Sequence, residues 1–163
     1  MNSQQLQCVI NCDKVMKKIV LGVFARDQIP DSRSSTPYGF IFNTDSSDQK
    51  GTHWLAVFID ANNKGEFFDS YGHSPNYYNI PIQLNYNSKM LQSHYSNVCG
   101  HYCLYYLLNR CRNVSMNSIV NVFGNKYDEN DSFVMEYIEN AFPFCFSFDN
   151  RTFSQTCCSE LFK

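Results

Sequence analysis

The chain has no run of apolar residues long enough to span a bilayer, and its first residues, Met1-Asn2-Ser3-Gln4-Gln5, are polar. The sequence therefore predicts neither a signal peptide nor a spanning helix, no membrane partner, and synthesis in a reducing compartment. Positive charge is not in excess either: 13 Lys and Arg stand against 15 Asp and Glu, a net charge of −2. The broad basic field that dominates affinity for nucleic acid is absent, so any DNA contact has to be local. Charged residues make up only 17% of the chain, Trp54 is its single tryptophan, and there is no repeat or low-complexity block; the low charge is that of a folded domain rather than of a disordered segment.

Apolar and aromatic residues are plentiful instead. At 163 residues with 44% in the hydrophobic class and 16% aromatic, the composition suits one compact domain, residues 1–163, whose core is built largely from Phe and Tyr rings. Eight cysteines suggest a disulfide framework only in a short secreted chain. Here most are expected to be buried thiols. The glycosylation-like triplets at Asn113, Asn130 and Asn150 are read as chance matches.

Apolar spacing predicts a helix over residues 4–23, a surface loop over 25–36 and a short strand over 38–43. Residues 53–60 are apolar on both faces, which marks a central strand. The polar turn Asp60 to Gly65 then leads into Glu66-Phe-Phe-Asp69, an antiparallel hairpin. Residues 71–87 read as a loop-rich crossing with one helical turn, and 88–92 as a short strand. Helices are predicted over 99–111, 115–123 and 132–142, the last ended by Pro143. Residues 145–163 carry no clear pattern.

Three groups in this frame carry chemistry. A hairpin centred near residue 61 sets His53 opposite or diagonal to Asp69, within reach of a hydrogen bond, unless a bulge or a shift of one residue turns them to opposite faces. Cys99 opens a helix, where the helix N-terminus and a nearby imidazolium both lower a thiol pKa. Gly100 beside it permits close approach of a substrate backbone. Each group alone has an ordinary structural explanation. Together they give the nucleophile, base and orienter of a cysteine peptidase. His94, Cys99, His101 and Cys103 also invite a zinc reading, but positions two apart on a helix point to different faces, so no metal is assigned.

The ordered motifs Gly51-Thr-His53-Trp54, Phe67-Phe-Asp69-Ser-Tyr-Gly72, Gln92, Ser96-Asn97 and Cys99-Gly100-His-Tyr-Cys103 resemble the adenain family, the adenovirus-type maturation cysteine endopeptidases, over about residues 38–112. The resemblance implies Cys99 as nucleophile, His53 as general base and acid, and Asp69 as the residue that orients the imidazole. Gln92 and the Cys99 amide would form the oxyanion hole, with Trp54 beside the site. It further implies an α+β fold, a mixed sheet with helices on both sides, in a papain-like arrangement with permuted order of the catalytic residues. The implied activity is cleavage of viral capsid and core precursors after small residues near Gly-Gly or Gly-x-Gly, in the virion and host nucleus. No cofactor is needed for the chemistry.

An activating viral peptide and DNA are expected partners by the same resemblance. The chain departs from it in carrying Asp69 where adenovirus members commonly have Glu. It also lacks a cysteine between Cys12 and Cys99, so a peptide activator would bind without a disulfide. The short segment between Gly72 and Gln92 fits a divergent branch, an adenovirus-like virus of another host or a virus-like mobile element. Two alternatives stay open: a peptidase that deconjugates a ubiquitin-like modifier, and a catalytically dead binding module on the same scaffold.

Overall fold

The structure is a computed structural model and describes residues 1–30, 35–81 and 83–147. Most of the tail, residues 148–163, and with it the triplet at Asn150, therefore lies outside the described residues. Among those residues, no helix is long and apolar enough to cross a membrane.

A five-stranded mixed sheet runs in the order β1 (Val20–Phe24), β2 (Tyr38–Asn43), β3 (Trp54–Ile59), β4 (Gly65–Phe68), β5 (Asn85–Tyr86). The outer pairs β1–β2 and β4–β5 are parallel, and the inner pairs β2–β3 and β3–β4 are antiparallel. The helices are α1 (Ser3–Cys12), α2 (Met16–Ile19), α3 (Cys99–Arg110), α4 (Met116–Val120) and α5 (Tyr127–Ala141).

Alternation along the strands divides the core in two. Ile41, Ala56, Phe58 and Phe68 face the α-helices. Phe40, Phe42, Leu55, Val57 and Phe67 face the other way. That second face is covered by partly buried residues such as Ile29, Tyr78 and Ile80, in and beside one-turn 3-10 segments at 26–28 and 75–78. Helical cover on the two sides is thus unequal: the α-helices lie on one face and short 3-10 turns on the other. The central helix α3 is the main anchor, with Tyr102, Leu104, Tyr106 and Leu107 fully buried. Each such side chain contributes roughly 1.5–3 kcal/mol of burial free energy.

Three predicted elements differ. The helix expected over 4–23 breaks at Asp13, whose Oδ1 accepts from the N–H groups of Val15 and Met16, and the chain emerges from α2 as strand β1. Val20 and Val23 are β-branched and pair alongside β2, which outweighs their helical spacing. Residues 88–92 form no strand; Leu91 and Gln92 instead donate to the Ser70 carbonyl, and the short edge strand is Asn85–Tyr86. Helix α5 begins five residues before the predicted start, with Asp128 and Glu129 favourably placed in its first turn.

The cysteines divide. Cys99, Cys103 and Cys111 are buried thiols as expected, whereas Cys8 and Cys145 form a disulfide that their spacing does not announce. Asn130 lies within α5 and is buried, and its side-chain amide donates to the Leu91 and Gly124 carbonyls, so it is committed to packing rather than to modification.

Candidate active site

Ladder register brings the first two groups together. The pairs Ala56–Phe68 and Ile59–Gly65 centre the hairpin on residue 62, one position later than expected. Asp69 therefore falls level with Leu55, and His53 lies two positions further along. A displacement of two keeps both side chains on the same face, so the diagonal contact survives. His53 Nε2 donates to Asp69 Oδ1 at 2.7 Å.

Asp69 is fully buried, and its carboxylate is saturated with donors. Oδ1 also accepts from the Tyr71 N–H at 3.0 Å. Oδ2 accepts from the His73 N–H at 3.0 Å and the Tyr78 hydroxyl at 2.9 Å. The His73 ring lies beside it, with Nδ1 3.2 Å from Oδ2. Asn87 clamps the backbone of Asp69 from both sides, accepting from its N–H and donating to its carbonyl. Burial pushes the Asp69 pKa up, but the imidazole of His53 and these donors outweigh it, so the carboxyl is held below its usual range.

Cys99 occupies the first position of α3, and Val98 before it supplies no side-chain cap to the helix. Burial raises the thiol pKa. The hydrogen bond and charge of His53, with the backbone N–H groups of Trp54 and Gly100, outweigh burial and lower it. For His53 burial acts downward, and Asp69 and Cys99 overcome it to raise the pKa to about 9. The directions agree: with Nε2 committed to Asp69, the remaining ring nitrogen faces the thiol, and the pair favours thiolate and imidazolium. Cys103, one turn along α3, is the contrast. It is completely buried, donates to the Trp54 carbonyl, and its pKa rises well above the ordinary value.

Gln92 is buried, with Oε1 accepting from the Ser70 hydroxyl at 2.7 Å and Nε2 donating to the Ser96 carbonyl at 2.9 Å. Its amide is thus oriented between the hairpin end and the loop that leads to Cys99. Trp54 and Cys99 line a cavity of about 730 Å³ together with Met1, Gly51, Thr52 and Asn97. The Trp54 indole N–H donates to the Met1 carbonyl. Gly100 is placed differently from expectation. A Cβ there would meet Leu6 and Met1 side chains at 3.3 Å, so the close approach it allows is to the N-terminal segment and not to the cavity. A capping box between Asn2 and Gln5 holds that segment in position.

A second cavity of about 490 Å³ opens beyond His53, lined by Thr44, Thr52, Tyr71, His73 and His94. The Tyr71 ring stacks on His53 at 5.0 Å and on His94 at 5.4 Å. Sequence reasoning missed Ser70, Tyr78, His73 and Asn87. Their only local signals are the run Asp69-Ser-Tyr-Gly72-His and an Asn-rich crossing whose partners are set by folding.

A thiol at a helix tip, an imidazole beside it and a buried carboxylate behind the imidazole define a site for nucleophilic thiol chemistry. The chain is similar to viral cysteine proteases. The SUMO-1 cysteine protease of African swine fever virus is 31% identical over a 101-residue alignment that takes in 51% of this chain and 37% of that protein. The counterpart from another strain, named a cysteine protease, gives the same figures. The chain therefore spans little more than a third of the length of the curated relatives it matches. A crystal structure of the African swine fever virus protease gives a TM-score of 0.43 at 26% identity, over 63% of this chain and 44% of that one. The central domain of an uncharacterized Legionella pneumophila protein gives 0.49 at 14% identity, over 91% and 98%. No family model matches the chain. The likeness carried by these relatives is to a viral cysteine protease, not to adenain in particular.

Proposed function

We propose that this chain is a cysteine endopeptidase of the broader group to which adenain belongs, with Cys99 as nucleophile, His53 as base and acid, and Asp69 as orienting carboxylate. The observation that carries the reading is the continuous relay from a helix-tip thiol of lowered pKa through His53 to a buried, fully hydrogen-bonded Asp69. The Cys99 thiolate attacks the scissile carbonyl carbon, and the negative charge moves to its oxygen. The Cys99 N–H and the Gln92 amide stabilise that oxygen, the latter by exchanging its contact with Ser96. As the tetrahedral adduct collapses, the carbon–nitrogen bond breaks and imidazolium His53 gives its proton to the departing amine. Water, deprotonated by His53, then attacks the thioester carbon, and collapse of the adduct breaks the carbon–sulfur bond, releasing the acid and restoring the Cys99 thiolate beside imidazolium His53.

On this reading residues 1–163 act as one protease domain, and the substrates are viral precursor proteins cut after small residues near Gly-Gly or Gly-x-Gly. The chemistry uses no cofactor. A peptide activator binds without a covalent link, the mild net acidity weighs against DNA as a strong partner, and the virion and host nucleus are the sites of action.

A second reading, deconjugation of a ubiquitin-like modifier, is favoured by one observation: a relative bears the name SUMO-1 cysteine protease. One experiment separates the readings. Wild type and Cys99→Ala are incubated with Leu-x-Gly-Gly and Leu-x-Gly-x peptides, with a viral-type precursor, and with a folded modifier fused at its C-terminus, each with and without DNA. Cleavage of peptides and precursor by wild type alone supports the maturation protease, and a strong preference for the folded modifier supports the second reading. Failure of Cys99 to react faster than an exposed control thiol would reduce the site to a binding scaffold.

A further inference from the structure

Three cysteine sulfurs converge where α1 meets the segment after α5. Cys8 and Cys12 lie four apart on α1 and so share one face of that helix. Cys145 arrives from the 3-10 segment Pro143–Cys145 that follows α5, and the three Sγ atoms all lie within 4.8 Å of one another. Cys8 and Cys145 form a disulfide with a Cα separation of 5.7 Å, while Cys12 Sγ is 3.8 Å from Cys145 Sγ. A bridge uses two sulfurs, and here three are gathered into the volume of one coordination sphere. Zinc–sulfur bonds of about 2.3 Å at tetrahedral angles separate sulfur pairs by roughly 3.8 Å, the spacing of Cys12 and Cys145. Cys8 and Cys145 are 5% and 3% exposed and Cys12 is half-buried, so a fourth donor would reach the metal from the Cys12 side.

We propose that, once the Cys8–Cys145 bridge is reduced, Cys8, Cys12 and Cys145 bind a single zinc ion. A dithiol or phosphine reductant supplies two electrons, and the bridge takes up two protons to give two thiols. Coordination then releases a proton from each of the three thiols to solvent as the thiolates bind the metal. The metal replaces the covalent tie between α1 and the segment after α5, so either form fastens the N-terminal helix to the body of the fold. The start of that helix rests on Gly100 and Trp54, which connects this corner to the wall of the Cys99 cavity.

The test uses the whole 163-residue chain carrying Cys99→Ala, so that the reactive thiol does not compete for metal. The protein is reduced with a phosphine under argon and titrated with Co²⁺, then with Zn²⁺. The expected result is one equivalent of Co²⁺ bound with an intense sulfur-to-cobalt charge-transfer band and the visible bands of a tetrahedral site, displaced by Zn²⁺. Adding Cys145→Ser abolishes the band. Adding Cys12→Ser weakens Zn²⁺ binding by more than about 10²-fold, beyond what loss of a supporting residue costs. Where Cys145→Ser fails to fold by circular dichroism, Cys12→Ser, with its half-buried side chain, decides. A reduced, folded protein without the band overturns the proposal. So does a band that survives both substitutions, which would place the metal elsewhere, for instance on Cys157 or Cys158 of the tail sequence. None of these outcomes depends on whether the chain cleaves peptides.

Discussion

His53 and Asp69 meet diagonally across the β3–β4 hairpin, with His53 Nε2 2.7 Å from Asp69 Oδ1 and the carboxylate fully buried. Because the separation is an even number of positions along the ladder, both side chains stay on one face. A slip of a single residue would separate them and leave a carboxylate buried without its principal partner, a cost of several kcal/mol.

The first prediction concerns pH. His53 has its pKa raised to about 9, so its charged form persists well above neutrality and the alkaline limb of kcat/KM should lie near that value. The same shift stabilises the fold fully below 6.5, and that contribution is lost as pH rises through about 9. Asp69→Asn removes the charge behind the ring. The alkaline limb should move to lower pH, while the acid limb, which follows Cys99 with His53 already protonated, should not rise, because loss of a nearby negative charge does not make the thiol harder to deprotonate. The two limbs belong to the coupled pair and not to either residue alone. An alkaline limb that stays in place in Asp69→Asn would mean that Asp69 does not sustain the imidazolium.

Tyr78→Phe tests orientation separately from charge. The hydroxyl donates to Asp69 Oδ2 at 2.9 Å, and its loss leaves that oxygen the N–H of His73 and the neighbouring His73 ring. A carboxylate with one donor fewer holds more charge density toward His53, so the alkaline limb should not move down as it does in Asp69→Asn. Turnover should fall about 3- to 10-fold at unchanged KM, the kinetic equivalent of a net hydrogen bond of roughly 0.5–1.5 kcal/mol. A downward shift of the limb would instead assign Tyr78 a role in supplying charge.

Much of the site was legible before folding because its residues mark element ends. His53 precedes a strand that is apolar on both faces, Asp69 ends the strand across the turn, and Cys99 begins the most apolar helix. Periodicity of two sets which face a residue takes, and a helix start sets where a thiol sits. What was not legible depends on contacts distant in sequence. Tyr78 and Asn87 reach Asp69 from a crossing with no periodic pattern. Cys8 and Cys145 are 137 residues apart, and nothing local brings them together. The break at Asp13 was hidden because apolar spacing continues through it, although the carboxylate competes for the N–H groups of Val15 and Met16.

Gln92 and Ser70 are coupled, and their variants should differ in kind. Gln92→Ala removes a proposed oxyanion donor, and turnover should fall by about 10²–10³. Ser70→Ala leaves the donor present but frees Gln92 Oε1, a buried acceptor, from its 2.7 Å hydrogen bond. Stability should drop by about 1–3 kcal/mol, with a smaller loss of turnover than in Gln92→Ala and the alkaline limb unmoved. Steady-state kinetics and urea unfolding on both variants check this. Equal turnover in wild type and Gln92→Ala would remove Gln92 from the site.

Gly72→Ala tests the turn that presents Asp69. Gly72 has φ +75°, and its N–H donates to the Asp69 carbonyl at 2.9 Å. A Cβ there would lie 2.7 Å from the Lys89 carbonyl carbon and 2.9 Å from its oxygen, backbone atoms that cannot swing aside as a side chain would. Both the left-handed backbone and the collision act in the same direction, so the expected destabilisation is roughly 2–5 kcal/mol. Whatever folds should also lose turnover, because relieving the collision moves either the turn bearing Asp69 or the segment leading to Gln92. Gly124→Ala is the control: among the described residues nothing lies within 4 Å of the place its methyl would take, so its change should stay within about 0.5 kcal/mol. Urea midpoints for the two variants measured side by side give the answer. Similar midpoints would show that the turn tolerates a side chain and that Asp69 is held without it.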